Sequence, residues 1–130
     1  MSEEPPKDTE PTIRQLMMPK DTNALGTIFG GVILSQIDQA AAIAAHRCHH
    51  GRVVTVAMDE IEFKKPVFVG DVVSYYVNIT KIGSTSVTMD VLVWAQRQFA
   101  EEGDYIPVTE ASVTMVAVDD KCKPISLSES

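Results

Sequence analysis

With 130 residues and a mass of 14.2 kDa, the chain has room for one domain and can bury roughly two-thirds of its unfolded surface without disulfide staples. Its 45% hydrophobic and 22% charged residues are ordinary for a soluble globular protein, while eighteen acids against eleven bases (net −7) argue against binding bulk nucleic acid. No apolar run approaches the ~20 residues of a membrane span, the opening MSEEPPKDTEP is no signal peptide, and Cys48 and Cys122 suit a reducing cytoplasm better than a secreted scaffold.

Residues 1–11 hold three prolines and four acids against one lysine, with no apolar residue after Met1. They read as a disordered acidic tail, leaving 12–130 as a single domain. Thr12 to Met18 reads as an edge strand closed by Pro19, and Lys20 to Gly31 as a loop. In VILSQIDQAAAIAAHRCHH, the residues Ile33, Ile37, Ala40, Ala41 and Ala44 recur at helical spacing. The Ala-rich half is apolar nearly all round, as in a buried helix, and Gly51 is a fitting stop. Val54, Val56 and Met58 alternate on even numbers and Ile61 and Phe63 on odd ones, which predicts one long strand bent near Asp59-Glu60. Further strands are expected over Val73–Ile79, Val87–Ala95 and Val108–Val118, with a polar loop from Gln96 to Asp104. A strand, one buried helix and four strands in meander order make an α+β layout, the sheet wrapping the helix. The remaining apolar edges are left for a partner chain.

Three places carry potential chemistry. Asp38 lies on a mostly apolar helix face, with Leu34, Ser35, Ala41 and Ala42 one turn away. Such a carboxylate is costly to bury alone. It either bonds a nearby hydroxyl or amide as a structural device, or it is catalytic. Gly30-Gly31 opens the helix, leaving bare N–H groups at the positive end of the dipole, a place suited to phosphate or to the oxyanion of a reacting carbonyl. Glycines before helices are also common in plain loops, and the absence of a following Gly-Lys-Ser/Thr excludes a nucleotide phosphate loop. His46, His49 and His50 crowd the helix end, where they suit the dipole. The i, i+4 pair lacks the glutamate of a metalloprotease face, and no Gly-x-Ser-x-Gly elbow is present.

The run Asp21-Thr22-Asn23-Ala24-Leu25-Gly26-Thr27-Ile28-Phe29-Gly30-Gly31, followed by Gln36-Ile37-Asp38, resembles the hot-dog fold acyl-CoA thioesterases of bacteria and the related cytosolic hydrolases of animals. Asp59-x-Ile61-x-Phe63-Lys64-Lys65-Pro66-Val67-x-x-Gly70-Asp71, Gly83-Ser84-Thr85-Ser86 and Val116-Ala117-Val118-Asp119 extend the likeness from about Arg14 to Leu127. The resemblance implies a sheet wrapped round a central helix, paired into homodimers and often assembled as trimers of dimers. It also implies hydrolysis of acyl-CoA driven by Asp38, with Asn23 positioning water or the carbonyl and the amides of Gly30 and Gly31 near the oxyanion. CoA is then part of the substrate, and no separate cofactor or metal is expected. For its phosphates the candidates are Lys64, Lys65 and Lys81, with Ser84, Thr85 and Ser86 as further contacts and Arg47 and Arg52 behind them. A solvated strand end is the competing reading of each.

Helix geometry adds a constraint. Asp38 is seven residues past Gly31, about 10 Å along the axis, whereas oxyanion donors and an attacking atom must both lie within ~3.5 Å of one carbonyl. Two antiparallel helices at a two-fold interface can meet this condition, with Asp38 of one chain near Asn23 and Gly30-Gly31 of the other. Two other readings stay open. A hydratase or dehydratase on this fold usually needs a histidine, and the histidines here lie past Asp38. A non-catalytic acyl-CoA-binding domain would not need the Asn23/Asp38 pair.

Overall fold

The Ala-rich segment forms the long helix that its spacing predicts, α1 (Gly30–Ala45), and the β-branched runs form strands around it. The structure, a computed structural model, describes residues 4–97 and 104–128. Its strands are β1 (Ile13–Leu16), β2 (Arg52–Asp59), β3 (Val72–Ile82), β4 (Ser86–Gln96) and β5 (Tyr105–Val118), in one antiparallel sheet of order β1-β3-β4-β5-β2. Ile33, Ile37, Ala40, Ala41, Ala44 and Ala45 of α1 are buried against the inward residues of β3, β4 and β5, among them Val73, Tyr75, Met89, Val91 and Val113. Small alanine side chains let the helix sit close to the sheet, and this is the α+β hot-dog architecture expected above.

The expected four-strand meander holds for β3, β4 and β5 alone. β2 pairs with β5 at the far edge, with β4 and β5 between it and β3. The reason lies at Glu60, whose φ of 59° is left-handed, a conformation that ends an extended strand in a non-glycine residue. The chain therefore leaves the sheet at Asp59, and Ile61 and Phe63 do not prolong β2 as expected. Residues 60–71 instead cross the end of β5, where Lys64 N–H donates to Val108 C=O at 2.8 Å and Thr109 Oγ1 to Glu62 C=O at 2.5 Å. The phase change within β2 also falls earlier than expected, at a register shift between Thr55 and Ala57. Val53 and Met58 consequently pack inward while Val54 and Val56 face outward.

The sheet has two poles. At one, the start of α1 meets residues 60–71, with Ile28 N–H on Val67 C=O at 2.8 Å. At the other, His49 Nδ1 lies 3.0 Å from Leu127 C=O, and Leu127 N–H donates to Ser84 C=O at 2.9 Å. On the sheet's outer face, residues 4–7 and 9–11, outside any regular element, wall a cavity of about 470 Å³ together with Tyr76, Trp94 and Tyr105. Residues 1–3 of the expected tail and 98–103 of the expected polar loop lie outside the described residues.

Candidate active site

Asn23 is the hub of the loop that feeds α1. Its Oδ1 accepts the N–H groups of Leu25 (2.8 Å) and Thr27 (3.2 Å), and its Nδ2 donates to Thr27 Oγ1 (2.9 Å). The backbone closes the same ring through Asn23 N–H on Thr27 C=O at 2.8 Å, with Gly26 at φ 87° making the turn. Asn is suited to this work because its short amide can mimic a turn of backbone. One amide hydrogen of Asn23 is left over for a ligand.

Phe29 is the N-cap of α1 and offers no side-chain acceptor, so the first-turn amides of Gly30 and Gly31 keep the positive end of the helix open. A β-carbon on Gly30 would stand 3.6 Å from the Phe63 ring, and one on Gly31 would stand 2.5 Å from the Phe29 ring. The two glycines thus lie between two half-exposed phenyl rings. A cleft of about 340 Å³ opens there, and its walls include Thr27, Gly30, Ile33, Phe63, Lys64 and Lys65. The structure therefore brings Lys64 and Lys65 to the helix start, next to the Asn23 loop.

Asp38 stands halfway along α1 on the side that faces β2. It is half-buried, and its Oδ1 accepts the hydroxyl of Thr55. Thr55 was not among the sequence candidates. An even-numbered inward face for β2 hides it, and the register shift beside it is what turns the hydroxyl toward Asp38. Gln36, two residues earlier, points the other way around the helix, where its Oε1 accepts the hydroxyl of Tyr75 on β3. Burial under the helix, with the Asp21 carboxylate nearby, raises the Tyr75 pKa, so this phenol stays a neutral donor.

Lys81 and Ser84, Thr85 and Ser86 do not join Lys64 and Lys65 within one chain. They sit at the β3–β4 hairpin, at the opposite pole, and α1 between the poles spans about 24 Å for its sixteen residues. Two hairpin carbonyls already serve the fold, Ser84 C=O accepting Leu127 N–H and Thr85 C=O accepting Ala117 N–H, each at 2.9 Å. The histidines lie at this pole as well. His49 is buried and bonded to Leu127 C=O, and His46 Nδ1 is 3.2 Å from His49 C=O. Among the described residues, no group of three His, Cys, Asp or Glu side chains is placed to hold a metal ion.

This architecture has close counterparts. A profile of the thioesterase superfamily matches residues 25–98. The acyl-CoA thioester hydrolase YciA of Escherichia coli is 46% identical over 116 residues, covering 88% of each chain. The hexameric hotdog fold thioesterase of Campylobacter jejuni superposes with a TM-score of 0.83 at 47% identity, over 92% of this chain and 93% of that one. The acyl-CoA hydrolase of Staphylococcus aureus, whose structure was solved with butyryl-CoA and CoA, superposes with a TM-score of 0.78 at 31% identity, over 88% of this chain and 68% of that one. Structures also exist of its asparagine-to-alanine and aspartate-to-alanine mutants. The chain belongs to the thioesterase superfamily.

Proposed function

We propose that this protein hydrolyses acyl-CoA thioesters to a free carboxylic acid and CoA, at sites shared between subunits. The observation that carries the reading is the placement of Asp38. Its carboxylate sits on the β2 side of α1, bonded to Thr55, while Gly30, at the open start of the helix, borders the cleft that Lys64 and Lys65 also line. A thioester carbonyl has weak resonance stabilisation and a thiolate is a good leaving group. A positioned carboxylate, acting as base on water or as nucleophile, therefore suffices without a histidine or a metal. The helix-start amides stabilise the oxyanion, and the remaining Asn23 amide hydrogen orients the carbonyl or the water. The two residues mutated in the Staphylococcus aureus enzyme lie the same distance apart in sequence as Asn23 and Asp38, which supports this pairing.

The edge strand β2 supplies the contact. Its free edge carries exposed Val54 and Val56, and an apolar unpaired edge is a template for another strand. Two-fold pairing of β2 with its copy makes the homodimer. For Asp38 to face the partner's helix start, the axis passes near Leu34 and Ser35. The same antiparallel arrangement carries the Lys81 and Ser84–Ser86 pole of one subunit toward the Lys64 and Lys65 pole of the other, rejoining the CoA contacts that one chain keeps apart. Trimers of such dimers make the full assembly, a reading supported by the six-subunit state of the hexameric Campylobacter jejuni relative. The enzyme works in the cytoplasm, where Cys48 and Cys122 stay reduced. Thiol release over a panel of acyl-CoAs tests the proposal: the wild type releases CoA, and Asp38→Asn loses at least about a hundredfold in kcat while still binding CoA. An intact thioester with the wild type, or near-native turnover by the variant, contradicts it.

A further inference from the structure

The segment that carries Lys64 and Lys65 has no regular structure of its own, so something must hold it against the cleft. Backbone bonds to Val108 and Ile28 hold its middle. At its far end, Gly70 N–H donates to Met17 C=O at 2.9 Å, and the stretch from Pro66 to Phe68 is braced by a side chain just past β4, Arg97. The guanidinium makes three contacts at once. Nη1 lies 3.1 Å from Asp71 Oδ2, Nη2 donates to Pro66 C=O at 3.3 Å, and Cζ stands 4.6 Å from the Phe68 ring centroid. Asp71 is the fixed end of this clamp. Its side chain is 3% exposed, and the same Oδ2 accepts Phe68 N–H at 2.9 Å. Its backbone carbonyl takes Met17 N–H at 2.9 Å, which ties it to the end of β1.

We propose that Arg97, braced by Asp71, is a positioning residue for the CoA end of the substrate, holding Pro66 so that Lys64 and Lys65 keep their place at the mouth of the cleft. This rests on the reading of those two lysines as phosphate contacts. A planar fork that bridges a carboxylate and a carbonyl while stacking on a ring is a task for arginine, and lysine cannot make all three contacts. Burial pushes the Asp71 pKa up, against the pull of Arg97 and of the Phe68 N–H. Holding the carboxylate there without Arg97 is therefore unfavourable, and loss of the clamp releases Pro66 C=O and the Phe68 ring, the two points next to Lys64 and Lys65 that Arg97 holds.

The test uses two substrates in the intact oligomer: an acyl-CoA, and the same acyl group on N-acetylcysteamine, which has the thioester but no phosphates. Arg97→Lys and Arg97→Ala are expected to raise KM for acyl-CoA about five- to tenfold, within the range of indirect couplings, with under about twofold change in kcat and in both parameters for the truncated thioester. Lys64→Ala/Lys65→Ala raises KM for acyl-CoA directly. Adding Arg97→Ala to that double variant produces no further rise, because Arg97 acts through those lysines. Should Arg97→Ala fail to fold, Asp71→Asn, which keeps an oxygen for Phe68 N–H, reads the same selectivity. Equal losses on both substrates, or no loss on either, overturn the inference. Multiplying effects of Arg97 and the lysines overturn it too, since they mean that Arg97 touches the phosphates itself. If the lysine variants leave KM for acyl-CoA unchanged, the reading of the lysines falls and this inference with it. If they raise KM while the Arg97 variants do not, the inference alone falls.

Discussion

Gly30→Ala separates what the fold needs from what the chemistry needs. Gly30 is helical and is not one of the positive-φ glycines, which among the described residues are Gly26 and Gly70. A β-carbon there meets only the Phe63 ring, at 3.6 and 3.7 Å, an ordinary van der Waals contact. Alanine is favoured over glycine in a helix by up to about 1 kcal/mol, which for a domain of this size is a melting temperature unchanged or raised by about 3 °C. The new methyl nevertheless enters the cleft beside the amide proposed to hold the oxyanion, and a displacement of the carbonyl by about 1 Å costs roughly a hundredfold in rate. Gly31→Ala behaves differently, because its β-carbon would lie 2.5 Å from the Phe29 ring. That ring is 57% exposed and can swing away, so the variant folds with no gain in stability. Scanning calorimetry and steady-state thiol release measure both effects. Gly30→Ala with native kcat/KM, or with a melting temperature several degrees lower, refutes the reasoning.

Thr55→Val removes the hydroxyl that Asp38 accepts while keeping β-branching on an exposed position. A hydrogen bond to a charged group contributes about 1.5–3 kcal/mol to stability, so the melting temperature falls by several degrees; kcat falls tenfold or more because the carboxylate loses its orientation, and an unchanged kcat shows that Thr55 does not orient it. Val56→Lys places a charge on the free edge of β2, where Val56 is 57% exposed. Light scattering is expected to show smaller species and thiol release to fall with them, whereas an intact oligomer means that the subunits meet elsewhere.

Much of this was legible in the sequence because it is local. The periodicity of Ile33, Ile37 and Ala40–Ala45 yields a buried helix, and a carboxylate at position 38 is conspicuous on it. The glycines at 30 and 31 signal an open helix start without any structure. What could not be read depends on residues far apart in the chain. Glu60 in a left-handed conformation ends β2 four residues before the alternation suggests, and the pairing of β2 with β5 is decided by where residues 60–71 cross. The register shift next to Thr55 reverses which residues of β2 face inward, so Thr55 was hidden. Asn23 was legible as a candidate but not as the hub of its loop, because both of its acceptor bonds go to backbone N–H groups that any residue supplies. Lys64 and Lys81 look alike in sequence, and only the direction of α1 across the sheet assigns them to opposite poles.

The central claim is that each site takes Asn23 from one chain and Asp38 from another, and mixing two inactive variants tests it most directly. Asn23→Ala and Asp38→Ala are prepared separately, unfolded, and refolded together. Random two-fold pairing makes about half of the dimers hybrid, and in each hybrid one site collects both defects while the other collects neither. About a quarter of all sites regain native composition, and thiol release is predicted to rise from near zero toward a quarter of the wild-type rate. If both residues belonged to the same chain, every site would keep one defect, and mixing would restore no activity even with hybrids confirmed by native mass spectrometry.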